Sequence, residues 1–168
     1  MRKVYICSPY RAADSAQLDR NIEYAQELTK QAIEGGLAPI TPHLYMTQCL
    51  DEDKPEQRAA GMAAGLALLK SCDFIIVGVR YGISEGMSEE IRTADTLGIE
   101  VVNADKLRYK LEFERTQAEE LAREYAKLHC CSFCKGSRLH SCTGFNCKLP
   151  CQSAYEYALQ FYKDGRKP

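Results

Sequence analysis

The sequence predicts an α/β domain built on a doubly wound parallel sheet, and three observations carry that reading. Short apolar runs alternate four times with segments of helical periodicity. The run FIIVGV at residues 74–79 is apolar throughout, as a central parallel strand covered on both faces should be. Glycines stand where helices should stop ahead of a strand, at Gly35, Gly36 and Gly98.

The elements follow in order. Residues 3–8 (KVYICS) form a short β-rich run, read as a buried strand. Asp14 or Ser15 caps a helix whose apolar stripe is Leu18, Ile22, Ala25, Leu28, Ala32 and Ile33, in steps of three and four. Residues 37–40 give a second strand, ended by Pro42. Asp51, Glu52 and Asp53 precede Pro55, which suits a first helical turn, and Met62, Leu66 and Leu69 carry that helix to Lys70. After the strand at 74–79, a loop at 80–83 leads to a helix over 84–97, and residues 99–102 form a fourth strand. A further helix presents Ala118, Leu121, Ala122, Tyr125 and Leu128 on one face. A cysteine-rich stretch and a last helix over 153–162 complete the chain. The expected division is an α/β domain of four or five strands over 1–112 and a small helical appendage over 113–168.

The chain has 168 residues, 45% hydrophobic and 27% charged, which fits a globular fold with a sizeable core and excludes a disordered chain. The apolar run within the first ten residues is too short for a signal peptide or a membrane span, so a soluble cytoplasmic protein is expected, with no membrane partner. The formal net charge is −1, but seven basic and only two acidic residues lie from Lys127 onward. A short basic tail of this kind reads as solvated surface, and nucleic acid is not the expected partner. Neither G-x-x-x-x-G-K-[ST] nor a G-x-G-x-x-G after the first strand is present, which argues against nucleotide-hydrolysing P-loop and dinucleotide-binding classes. The G-x-S-x-G elbow of α/β-hydrolases is absent too.

In open parallel sheets, ligands bind beyond the carboxyl ends of the strands where strand order reverses. Three segments should meet there: Ser8 to Arg11, Thr41 to His43, and the loop leading to Ser84. Arg11 reads as a surface arginine by composition, and its place just past a central strand makes it an anion-binding candidate. His43 is either a loop histidine held by backbone or a ligand-binding group. Ser84 can cap its helix, donate to phosphate or sugar at the helix start, or do both in part. Asp51, Glu52 and Asp53 read as a solvated, helix-capping turn. The sharpest clue is the helix SEGMSEEIRTADTLG. Its sheet-facing stripe should run Met87, Ile91, Ala94 and Leu97 or Gly98, which puts Glu90 on the stripe's edge and turns Glu89 to solvent. A carboxylate on an apolar stripe is costly unless it is paired or used, and one near a helix N-terminus is favoured in its ionised form. Those conditions suit a carboxylate nucleophile, although periodicity alone also allows a capping or salt-bridging glutamate. By pattern alone, Tyr5 is core.

These segments together resemble the nucleoside 2-deoxyribosyltransferase superfamily, especially its DUF4406-like branch, over residues 3–103. The resemblance rests on VYICSPYRA at 4–12, PITPHLY around His43, LLKSCDFIIVG around Asp73, and S-x-G-M-x-x-E-I-x-x-A from Ser84 to Ala94. It implies a flavodoxin-like sheet, N-glycosidic bond chemistry on a nucleoside or nucleotide, and a homodimer. It makes Glu90 the nucleophile and Tyr5 the tyrosine that orients it, with no cofactor needed for the reaction. Ser8, Arg11, His43, Ser84 and Gly86 become the substrate-binding set. The chain departs from the pattern between Arg58 and Cys72, where no carboxylate stands near Gly61 and Gly65. Protonation of a leaving base then lacks its usual donor, for which His43 is one substitute. The alternative is a nucleotide-binding or sequestering protein that cleaves nothing.

Of nine cysteines, six lie between Cys130 and Cys151. The order C-x2-C-x7-C-x4-C-x3-C places Cys131, Cys134, Cys142, Cys147 and Cys151 as candidates for a structural zinc ion, with CSFCKG read as a zinc knuckle's tight turn. Disulfides, free thiols and an iron–sulfur cluster remain open on spacing alone. Cys7, Cys49 and Cys72 lie in or beside apolar runs and read as core. A third reading makes this tail the working part of an interaction module.

Overall fold

A computed structural model describes residues 1–134, 152–163 and 166. The chain divides into two compact units, Met1–Arg108 and Tyr109–Pro168.

The first unit is a four-stranded parallel sheet with strands β1 (Lys3–Cys7), β2 (Ala38–Ile40), β3 (Phe74–Val77) and β4 (Glu100–Asn103) in the order β2-β1-β3-β4. Strand order reverses between β1 and β3, where Val4 to Cys7 pair in register with Phe74 to Val77. This is the flavodoxin-like doubly wound order with four strands. All four residues of β3 are buried, in keeping with its central place.

Helix α1 (Ser15–Glu34) begins at Asp14, whose carboxylate accepts from the Gln17 amide at 2.8 Å. Its buried residues are Asn21, Tyr24, Ala25, Leu28 and Ala32. Ile33, expected on the stripe, is 57% exposed, because the face is centred on Tyr24 and Asn21 rather than on the aliphatic residues alone. Helix α2 (Pro55–Leu69) starts on Pro55, and α3 (Glu85–Leu97) is capped by Ser84. Gly98 ends α3 in the left-handed conformation at φ 69°, a geometry that favours glycine. Leu97, expected to face the sheet, is 47% exposed at that last turn.

Helices α2 and α3 pack on one face of the sheet, where Tyr5, Cys7, Leu69, Cys72, Ile75, Val77, Met87 and Ala94 form one buried cluster. The pleat turns Val4, Ile6 and Ile76 to the other face. On α1's side, a Cβ at Gly78 would meet the Leu28 Cδ1 at 2.6 Å and the Tyr24 ring at 2.9 Å, so a side chain there would force these α1 residues to shift.

The second unit contains most of α4 (Leu107–Cys134) and all of α5 (Gln152–Lys163). Small residues are buried here: Ala118, Ala122 and Ala126 on α4, Ala154 and Ala158 on α5. Tyr125 and Tyr157 bring their rings to 6.3 Å. Two residues expected on the buried face of α4, Leu121 and Leu128, are exposed instead, because Ala118, Ala122 and Ala126 define the stripe. Cys131 and Cys134 fall in the last turn of α4 rather than in a tight turn, while Cys142, Cys147 and Cys151 lie outside the described residues. Among the described residues, no helix is long and apolar enough to cross a membrane.

Candidate functional site

The carboxyl ends of β1, β2 and β3 open into a cleft of about 230 Å³ at the reversal of strand order. Tyr5, Ser8 and Arg11 line it from β1 and the loop that follows, and His43 from a short 3₁₀ turn (Pro42–Leu44) after β2. Ser84, Gly86 and Glu90 line it from the start of α3. All seven candidate residues of the first unit therefore share one cavity.

Tyr5 alternates with Val4 and Ile6 along β1 and points to the face covered by α2 and α3. Its hydroxyl donates to Glu90 Oε1 at 2.7 Å, joining residues 85 positions apart. Room for that hydroxyl comes from Gly65 on α2, where an added Cβ would lie 2.9 Å from the Tyr5 oxygen. The stretch that lacks a carboxylate is thus the stretch against which the tyrosine packs.

Glu90 sits on α3 one turn beyond Met87, which is almost fully buried, and is itself half-buried. Burial raises its carboxyl pKa above the ordinary value, while the hydrogen bond from the Tyr5 hydroxyl pulls the other way. Tyr5 is displaced far upward, first by burial and then by the adjacent carboxylate, so it keeps its proton and acts as a donor at any working pH. Cys7 and Cys72, read as core, are buried, while Cys49, read the same way, is exposed. Glu89 points outward, as expected, and meets Arg92 in an exposed ion pair at 2.7 Å.

Ser84 caps its helix and also reaches the cleft. Its Oγ accepts from the Met87 amide at 3.3 Å as a helix cap, and it lines the cleft with its own proton free to donate. Ser8 Oγ and His43 Nε2 lie 3.0 Å apart. Burial pushes His43 down to about 4, so the imidazole is neutral near pH 7. Arg11 is held through its backbone: the buried Asn21 side chain reaches the carbonyls of Tyr10 and Arg11 at 3.1 and 3.4 Å. Asp73, part of a matched segment, lies at the opposite end of β3 and accepts from the Lys3 amide at 2.6 Å, a structural role.

The cleft also contains residues that sequence patterns did not single out, among them Tyr10, Glu52, Arg58, Met62 and Gly65. Glu52 was expected in a solvated turn; it is half-buried and lines the cleft because the chain between β2 and α2 folds back over the strand ends. Its loop has no periodicity from which that path can be read. Among the described residues, no group of three His, Cys, Asp or Glu side chains is placed to hold a metal ion.

Fold and site together define a flavodoxin-like domain with a hydroxyl-rich cleft at its switch point and a tyrosine-bound glutamate inside it. The chain belongs to the family described as a domain of unknown function, DUF7768, whose model matches residues 2–104. No curated protein matches the sequence. Among solved structures it is similar to a 2-deoxyribosyltransferase from the psychrotolerant bacterium Bacillus psychrosaccharolyticus. That likeness has 20% identity and a TM-score of 0.45, over 60% of this chain and 70% of the other.

Proposed function

We propose that the first unit breaks or transfers the N-glycosidic bond of a nucleoside or nucleotide, with Glu90 as nucleophile and Tyr5 as the residue that orients it. The observation supporting this reading most directly is the 2.7 Å hydrogen bond from Tyr5 to Glu90 within the cleft. A nucleophilic carboxylate must be ionised and aimed. The Tyr5 donor favours the charged form of a group whose burial alone would neutralise it, and it leaves lone pairs for the anomeric carbon. Attack expels the base and forms a glycosyl-enzyme; water or a second base then resolves it with retention. Ser8, His43 and Ser84 offer hydrogen bonds to sugar or phosphate oxygens, Gly86 leaves the start of α3 open to them, and Arg11 supplies a cation for phosphate. The sequence motif from Ser84 to Ala94 supports the same assignment, and its resemblance to the DUF4406-like branch of the nucleoside 2-deoxyribosyltransferase superfamily is part of this proposal.

A panel of nucleosides and 5′-monophosphates, read by chromatography for free base, tests the proposal. Base release should fall by about 10³-fold or more in Glu90→Ala. Undiminished release in that variant would remove the assignment. The lack of a carboxylate between Arg58 and Cys72 favours a second reading, a nucleotide-sequestering protein, which predicts binding by calorimetry with no base released.

For the remainder of the chain we propose a homodimer and a structural zinc ion held by four of Cys131, Cys134, Cys142, Cys147 and Cys151.

A further inference from the structure

Departure of a base from a sugar is assisted by a proton donor, and retaining glycosidases pair a nucleophilic carboxylate with an acidic one for this purpose. None of the residues assigned above fills that role. His43 is a poor candidate, since burial holds its protonated form off until about pH 4 and its Nε2 is engaged with Ser8. Tyr5 is committed to Glu90. Glu85 is exposed in the first turn of α3.

The loop before α2 carries three adjacent carboxylates. Asp51 is tied within the loop, paired with Lys54 at 3.4 Å and accepting from the Asp53 amide at 3.0 Å, while its own amide donates to Gln57 Oε1 at 2.7 Å. Asp53 is exposed. Those ties turn the residue between them inward: Glu52 is half-buried and lines the same cleft as Glu90. We propose that Glu52 is the general acid that protonates the leaving base, an assignment that rests on the N-glycosidic reading of the site.

In that step a Glu90 oxygen forms a bond to C1′ as the C1′–N bond breaks and its electron pair passes to the base. The Glu52 carboxyl proton moves to the base, leaving a Glu52 carboxylate that shares the cleft with Arg11 and Arg58. Water then attacks C1′, releasing the Glu90 carboxylate, and its proton returns to Glu52.

The test uses the full chain with 2′-deoxyguanosine and its 5′-monophosphate, each beside its N7-methyl derivative, whose cationic base leaves without added acid. Glu52→Gln should slow release of guanine by about 10²-fold or more. It should leave release of the methylated base within about threefold of the parent protein, since that step needs no general acid. Glu90→Ala should lose both. Equal losses on the two kinds of substrate in Glu52→Gln, with or without a lowered unfolding midpoint, would overturn the assignment, as would no loss on either. Failure of the parent protein to release base from any of the four substrates would instead sink the underlying reading, and the role of Glu52 with it.

Discussion

The Tyr5 hydroxyl occupies a narrow space between α2 and α3, and its partners decide what each neighbouring residue is worth. Gly65→Ala brings a methyl within 2.9 Å of that oxygen. Alanine improves helix propensity by roughly 1 kcal/mol, but overpacking costs about 1–3 kcal/mol, a net loss of about 0–2 kcal/mol of stability while Tyr5 is pushed off Glu90. A fall in base release or ligand affinity in protein that remains folded at the assay temperature is expected, measured by turnover and calorimetry. Glu90 predicts a pH signature. Its folded pKa lies above its unfolded value, so its contribution to stability is complete below about pH 4.5 and is lost as pH rises through the folded value. Glu90→Gln should therefore raise the unfolding midpoint at pH 7, with the gain shrinking toward pH 4. His43 has the opposite sense for an acid limb. Burial lowers it from 6.5 to about 4, so the stability it contributes is present above pH 6.5 and drains away as pH falls to 4. His43→Gln should flatten that loss, which amounts to up to about 3 kcal/mol, in unfolding curves taken across the window. Glu90 was legible in the sequence because a 3.6-residue period puts it on the edge of the Met87–Ala94 stripe. Glu52 and the space at Gly65 were not, since loop paths and close approaches leave no periodic trace.

Loop geometry also governs how α3 is presented to the cleft. Arg80, just after β3, forks onto Glu27 of α1 at 2.6 and 3.0 Å and lies 4.4 Å over the Tyr24 ring. Tyr24 meets Tyr81 edge-on at 5.3 Å, and Arg20 stacks 4.0 Å over Tyr81. The loop leading to Ser84 is thereby clasped to α1, on the face away from the cleft. The ion pair is nearly half exposed, which limits it to about 0–1 kcal/mol, and a cation–π contact adds about 0.5–1 kcal/mol. Arg80→Ala should thus cost about 0.5–2 kcal/mol by chemical denaturation and weaken ligand binding, because the start of α3 loses its anchor. Arg92→Ala, which removes an equally short but fully peripheral pair on α3 itself, should stay within about 0.5 kcal/mol of the parent. At this scale the sequence was read well wherever caps and glycines mark the ends: Asp14, Ser84 and Gly98 stand where expected. It was read less well on helix faces. Asn21 is buried for its bonds to the Tyr10 and Arg11 carbonyls, and a hydrophobicity pattern cannot anticipate an amide in the core.

For the whole chain, the order β2-β1-β3-β4 explains why a site assembles from segments far apart in sequence: the crossover from β2 to β3 passes over β1 and leaves a gap at the strand ends. The alternation of elements that builds this order is visible in the residues. The C-terminal unit follows a different logic. Its described buried residues are alanines on two helices, a small apolar surface for about sixty residues, and short segments of that kind usually need a covalent or metal tie. The proposed zinc ion would supply one, since thiolates bind it only when gathered and deprotonated, so that binding energy becomes folding energy. Elemental analysis of the purified chain should give one zinc per chain. Stripping it with a chelator should unfold the α4 and α5 region, seen as lost helical signal. The β1–β4 domain should meanwhile keep its unfolding transition, because its sheet, its cluster around Tyr5 and its cleft are complete within Met1–Arg108. Metal-free protein with full helical content, or zinc removal that abolishes both transitions together, would show that the cysteines do something else.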